Sequence, residues 1–298
     1  IIMILGLFSC FLWGSAVPSI KIGYELFEIG AEETYRKIAF AGYRFFLSSM
    51  LIFIFCILTR QTLRIKKKDI PKIATLGLIQ TTIQYIFFYI GLSNTSGTKG
   101  AILAATSTLF GVFIAHFFYE EDRLNSLKLI GAIVGFLGVV IINMGGDSIQ
   151  GGFTFTGEGF VLASSFASAL GAVYTKRIAK DIPILAISGY QLFLGAIALI
   201  LIGFLGGAGE MNSTLGGYVL LLYLGFISAA AFSIWTILLK YNGVGRINVY
   251  KFTVPVFGVF LSYILLDERL LGIKTLAAII LISFSIVAIN KVQGNKKA

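Results

Sequence analysis

The chain has 298 residues, of which 57% are hydrophobic and only 13% charged, with a formal net charge of +10. A water-soluble domain carries about 25% charged residues, so this composition excludes a soluble fold and points to a polytopic membrane protein. The excess of bases sits at the flanks of apolar runs, and no polar domain remains to hold a groove, which excludes nucleic acid as a partner.

In chain order the apolar runs cover 2–22, 37–58, 73–92, 98–118, 127–143, 158–175, 183–206, 216–239, 247–266 and 271–289. Each approaches the roughly 20 residues that an α-helix needs to cross the hydrocarbon core, the fifth and sixth being short. The alternation of a β-barrel strand is lacking, so the expected form is ten transmembrane helices. The first run has no basic stretch before it and carries Trp13, Pro18 and Lys21 without a small-residue cleavage site. It reads as a retained helix and not as a signal peptide.

The loops orient the spans. Arg60, Arg64, Lys66, Lys67, Lys68 and Lys72 lie between the second and third, Lys176, Arg177 and Lys180 between the sixth and seventh, and Lys291, Lys296 and Lys297 in the tail. The loop after the first span carries Glu25, Glu28, Glu32 and Glu33, and the loop between the fifth and sixth has no base. The positive-inside rule then places both termini in the cytoplasm of a plasma-membrane protein.

A repeat organises these spans. Residues 253–260 (TVPVFGVF) echo residues 106–113 (TSTLFGVF) at an offset of 147 (253 − 106), residues 189–194 (GYQLFL) echo 42–47 (GYRFFL), and Ile289-Asn290 echo Ile142-Asn143. A period this long is two halves of one body, 1–147 and 148–298, and not a solenoid. Five helices per half, an odd number, turn the second half upside down, so the expected fold is all-α, two inverted five-helix repeats.

Leu12-Trp13-Gly14-Ser15-Ala16 in the first span, Tyr43-Arg44-Phe45 early in the second, Glu120-Glu121 after the fourth and Leu266-Asp267-Glu268-Arg269 after the ninth resemble the EamA family of the drug/metabolite transporter superfamily. The family often places a Pro in the middle of the fourth and ninth helices; here Pro255 is kept and Thr108 stands at the matching position. The resemblance implies an exporter or exchanger of amino acids or other small metabolites, with a central cavity open alternately to each side. Drug or lipid efflux, a passive channel and an organophosphate or nucleotide-sugar antiporter are the alternatives.

The residues bear on that expectation directly. All fourteen acids fall in loops or at span ends, whereas Arg44 lies about two turns into the second span and Lys251 about one turn into the ninth. An intramembrane charge costs at least ~2.5 kcal/mol unless it is paired or faces water, and an anionic solute would supply the missing partner. Thr81, Gln84, Tyr85 and Phe88 share one face if the third span is a regular α-helix. Their counterparts at the 147-residue offset are Ser228, Ala231, Phe232 and Trp235, while Gln191 stands for Arg44 and Ala104 for Lys251. The expected substrate-binding set is therefore Trp13, Tyr43, Arg44, Thr81, Gln84, Tyr85, Phe88, Tyr190, Gln191, Trp235 and Lys251.

Other features carry less. The Gly131/Gly135 pair suits close helix packing within a monomer better than a homodimer contact. His116 at a helix end reads as a capping group, and Cys10 and Cys56 fit neither a metal site nor a disulfide framework. No catalytic motif, metal cluster or cofactor signature is present in the sequence; the expected partners are a small-molecule solute and membrane lipid.

Overall fold

A computed structural model of the chain describes residues 1–95, 97–143, 153–266 and 273–294. Ten helical segments run through the described residues: α1 (Ile2–Leu26), α2 (Thr34–Leu58), α3 (Lys67–Ser93), α4 (Gly97–Phe118), α5 (Ser126–Asn143), α6 (Phe160–Ile178), α7 (Ile184–Leu205), α8 (Leu215–Tyr241), α9 (Val244–Leu266) and α10 (Ile273–Gly294). Eight of them are long and apolar enough to cross a membrane, and α5 is a shorter apolar helix. The remaining one, α6, is rich in Ala and Ser and ends in Lys176-Arg177. Several helices, among them α1, α2, α3 and α8, run a few residues beyond the expected apolar runs, because terminal turns tolerate polar residues that reach the interface.

Two helices are irregular. In α3 a π-helical turn, Gly77–Ile83, interrupts the α-helix. In α9 a short α-helix, Val244–Asn248, passes through a 3-10 turn, Val249–Phe252, before the helix resumes at Thr253–Leu266. Pro255 is thus the third residue of the resumed helix, not a kink in mid-span. Its missing N–H falls in a first turn, where fewer donors have helical acceptors. The carbonyl of Asn248, freed by the break, accepts the Thr108 hydroxyl at 3.1 Å.

The turn between α7 and α8 shows why glycines stand there. Gly207 and Gly209 hold φ of +89° and +65°, and the Ala208 N–H returns to the Gly203 carbonyl at 2.9 Å, satisfying an orphan acceptor of α7. The Thr214 hydroxyl then accepts the Gly217 N–H and caps α8.

Packing joins α2 to α7, α5 to α10, α4 to α6, α1 to α9, α1 to α8, and α3 to α6. Glycines permit the closest approaches. A Cβ on Gly42 would lie 2.6 Å from Ile200, and one on Gly189 would lie 2.6 Å from Phe53; Gly135 faces Ser285 and Gly138 faces Ile282. These pairs obey the 147-residue offset: 42 with 200 becomes 189 with 53, and 135 with 285 becomes 282 with 138. Gly131 meets Ala288 and Ile289 of α10, so the Gly131/Gly135 pair packs within the chain as expected.

The helix ends form two poles. One, the basic pole, gathers the turns after α2, α4, α6 and α8, and holds most of the Lys and Arg residues; the other, the acidic pole, gathers the α1–α2, α3–α4 and α7–α8 turns. Halfway between them Trp13 packs against three of the four apolar clusters of the core.

Candidate functional site

Arg44 lies ten residues into α2 and is 3% exposed. Its Nε donates to Ser228 Oγ of α8 at 2.8 Å, and Ser228 in turn donates to the Leu224 carbonyl. Ser48, one turn on, donates to the Gly225 carbonyl at 2.8 Å and locks α2 to α8 at that height. Tyr85 and Tyr89 of α3 stand within reach of the Arg44 charge. Among the described residues no carboxylate pairs with Arg44 and its one side-chain hydrogen bond is that to Ser228, while the guanidinium lies 5.2 Å from the centre of the Phe45 ring.

Between α3 and α7 the same geometry recurs with different chemistry. Thr81 Oγ1 donates to Gln191 Oε1 at 2.9 Å, both side chains being buried. Positions 81 and 191 are 228 and 44 carried through the 147-residue offset, so one hydrogen bond has been built twice, once with Arg and Ser, once with Gln and Thr. The Gln191 amide nitrogen has no hydrogen-bond partner among the described residues.

Lys251 lies not one turn into a regular helix but in the 3-10 turn of α9. That tighter turn aims its ammonium inward, 5.4 Å from the Trp235 ring and 6.0 Å from Trp13, with Ser168 Oγ of α6 at 3.2 Å. Two indoles facing one ammonium make a cation–π cage. Trp235 Nε1 is sealed from solvent and has no partner. The rings continue as a wall: Trp13 meets Trp235 at 4.9 Å and Phe232 at 5.6 Å, Phe232 meets Phe45 at 6.2 Å, and Phe45 meets Tyr85 at 4.5 Å. Arg44 and Lys251 sit at the two ends of this aromatic wall.

The expected face of the third span does not hold together. The π-turn adds a residue per turn and shifts the helical phase. Thr81 therefore turns to Gln191 on α7, while Gln80 packs against Gly171 of α6 and Tyr85 turns to Phe45 on α2. Phe88 stays beside Tyr85, at 6.3 Å, and Gln84 keeps a buried Oε1 without a partner. Tyr43 packs against the apolar cluster that holds Leu12, Phe40 and Ile227, and the Tyr190 ring lies tilted beside Phe53 at 5.0 Å, against the Ile178 cluster near the basic pole. The structure thus joins Trp13 to Trp235 and Lys251 directly, and joins Arg44 to Tyr85, but Tyr190 lies apart. Ser168 and Phe45 stand outside the expected binding set, and Ser228 and Phe232 are legible only as the offset counterparts of Thr81 and Tyr85.

Acids are buried at both poles. At the basic pole Asp122 accepts the Val244 N–H at 2.5 Å and faces Lys128 at 3.6 Å and Lys176 at 4.0 Å; Lys176 also reaches Glu121 and the Asn242 carbonyl, each at 2.8 Å. Burial pushes the Glu121 carboxyl up, but Lys176 outweighs it and holds the carboxyl below its usual value. At the acidic pole Glu158 accepts the Thr154 N–H and hydroxyl at 2.8 Å and the Thr95 hydroxyl at 2.7 Å, and pairs with Lys99 at 3.2 Å. Those donors, the Thr154 N–H first, hold it well below the usual carboxylate range. His116 Nδ1 accepts the Leu124 N–H at 3.1 Å, the capping role expected of it. Among the described residues no group of His, Cys, Asp and Glu is placed to hold a metal. The Asp267-Glu268-Arg269 motif and the base-free loop at 144–152 lie outside the described residues.

A family model described as the EamA-like transporter family matches residues 1–144 and 155–291. Curated proteins similar to the chain include an uncharacterized transporter of Archaeoglobus fulgidus, 26% identical with 87% of each chain covered. They include the uncharacterized transporter YvbV of Bacillus subtilis, 27% identical over 87% of this chain and 84% of its own length. The uncharacterized inner membrane transporter YedA of Escherichia coli is 24% identical over 93% and 87%. A solved structure, titled only as the crystal structure of a protein, matches with a TM-score of 0.78 at 17% identity, covering 100% of this chain and 99% of the other, which is a likeness of fold.

Proposed function

The chain belongs to the EamA-like transporter family, and from that premise we propose that it carries small polar solutes with a carboxylate or other anionic group, amino acids first among them. Alternating access takes place through the space between Arg44 and Lys251. The observation that carries this reading is a guanidinium buried at mid-depth that has a serine hydroxyl and the Phe45 ring beside it and no carboxylate among the described residues. Such a charge is tolerated where it faces a partner that comes and goes. The aromatic wall between the two cations suits a solute with an apolar part. The two halves form an inverted repeat in this reading, supported by the contacts that map onto each other at the 147-residue offset, and the basic pole faces the cytoplasm of a plasma-membrane protein.

Net movement proceeds by exchange or facilitated diffusion. A protonation switch commonly needs a carboxylate in the path, and the buried acids described here, Asp69, Asp122 and Glu158, all lie at the poles. The carrier needs no cofactor and no catalytic step.

The test is a thermal-shift screen of metabolites on purified protein, followed by titration of the best solute into wild type and Arg44→Gln. Loss of a charge-assisted hydrogen bond is worth ~1.5 to 3 kcal/mol, so affinity should fall roughly 10- to 150-fold while the solute-free melting temperature is kept. Unchanged affinity in a folded Arg44→Gln protein returns Arg44 to a helix-bracing role, and a preference for cationic solutes overturns the anionic reading entirely.

A further inference from the structure

The two hydrogen bonds related by the 147-residue offset differ in one respect that bears on selectivity. Arg44 spends Nε on Ser228 and keeps its terminal nitrogens free of hydrogen bonds to the described residues, and Gln191 spends Oε1 on Thr81 and keeps its amide nitrogen free of them. Both side chains are more than nine-tenths buried. Each corner therefore anchors its side chain through a hydroxyl of the opposite half and leaves N–H groups unspent. At the Arg44 corner those donors carry a charge; at the Gln191 corner they do not.

We infer that Gln191, held by Thr81, is the second polar subsite of the transport site and sets the charge of the solute, accepting an uncharged hydrogen-bond acceptor where its counterpart Arg44 accepts an anion. The inference rests on the anionic-solute reading given above. It explains why a scaffold that builds the same bond twice carries only one guanidinium: two would select a dianion, and two amides would hold no anion firmly. An unpartnered buried donor rejects a solute that leaves it unsatisfied, so the Gln191 corner discriminates even without a charge. Thr81 acts as a positioning residue: its hydroxyl donates to Oε1, which leaves the amide nitrogen as the free end.

The prediction that follows is that charge is portable between the corners. Thr81 Oγ1 can accept from a guanidinium as Ser228 Oγ does. The experiment uses the full chain in detergent and three probes on one ring, benzoate, 3-carbamoylbenzoate, which adds an uncharged acceptor, and isophthalate, which adds a second carboxylate, titrated by thermal shift at matched ionic strength. Wild type should bind 3-carbamoylbenzoate about tenfold more tightly than benzoate, and Arg44→Gln should weaken it by about tenfold or more. The double variant Arg44→Gln/Gln191→Arg should recover 3-carbamoylbenzoate to within about threefold of wild type, and Gln191→Arg alone should shift preference toward isophthalate by about tenfold. A folded double variant that does not recover it, or a folded Gln191→Arg with the wild-type preference, overturns the inference while leaving Arg44 as the anion site. Failure of all three carboxylates to stabilise wild type overturns the anionic reading and the inference with it. Should the added arginine prevent folding, Gln191→Met decides. It removes the amide without adding charge and should erase the preference for 3-carbamoylbenzoate over benzoate; a preference that survives there, or that wild type lacks, overturns the inference.

Discussion

A carboxylate buried at a helix end stays ionised only where donors replace the water it has lost, and Glu158 has an N–H, two hydroxyls and Lys99 around it. Its folded-state pKa lies below the unfolded value of about 4.3. The stabilisation it supplies is therefore complete above that unfolded value and is lost as pH falls through it toward the folded one. Wild type should lose several degrees of melting temperature between about pH 5 and pH 3. Glu158→Gln should start lower at neutral pH and fall less over that interval; a parallel decline in the two proteins would show that other acids carry the transition. At this scale the sequence was a good guide to Arg44, because a guanidinium inside an apolar run is costly wherever it points. It named Lys251 with Trp13 and Trp235 but not the 3-10 turn that brings them together, and it gave no sign of the burial of Asp122 and Glu158, which draw on Val244, Lys176, Thr95 and Lys99 from far along the chain.

Helices as elements were legible because the apolar runs are long and the connections short. Their interruptions were not. The π-turn of α3 and the break of α9 replace α-helical bonds with contacts to other helices, among them the Thr108 hydroxyl on the Asn248 carbonyl, and no periodicity in the sequence announces such substitutions. The break also reverses the meaning of Pro255. A proline in a helix interior costs ~3 kcal/mol or more, whereas one in a first turn costs little. Pro255→Ala should accordingly leave the melting temperature nearly unchanged and transport intact. Gly14→Val makes the opposite case on the neighbouring helix. A Cβ there would stand 2.5 Å from Phe257 Cβ and 3.1 Å from the backbone of α9. Overpacking of this kind costs ~1 to 3 kcal/mol, and thermal unfolding of the two variants side by side would separate them. A large gain in stability on Pro255→Ala would instead place the proline in a helix interior, where the family's mid-helix proline puts it.

The molecule as a whole was foreseen in its helix number and in its close-packed glycines, since an offset of 147 residues survives in the letters even where the chemistry has diverged. The site was foreseen less well: an alignment of halves names Ser228 and Gln191 as counterparts, but says nothing of which side chains meet. The orientation proposed from the basic pole predicts that a cysteine at position 67 is reached by a membrane-impermeant maleimide only from the cytoplasmic side, and one at position 30 only from outside. The native Cys10 and Cys56 are buried and free, and so offer little background. Labelling in the reverse sense would invert the assignment of both poles.

The chain has only two tryptophans, and both stand in the central site, 4.9 Å apart with the Lys251 ammonium beside each ring. The protein thus contains its own optical reporter. Light absorbed at the red edge, where tyrosine is transparent, excites no indole outside the site, so the whole emission spectrum and the near-ultraviolet dichroism of the ring pair describe that one place. A solute that draws Lys251 away or slips between the rings must change both signals, without label or mutation, and a Trp235→Phe protein should lose the paired dichroic band while Trp13 still reports binding. Titration of unlabelled protein with candidate solutes then becomes a spectrum read in a cuvette, and a solute that is carried without disturbing either signal would have to pass by a route that avoids the indoles.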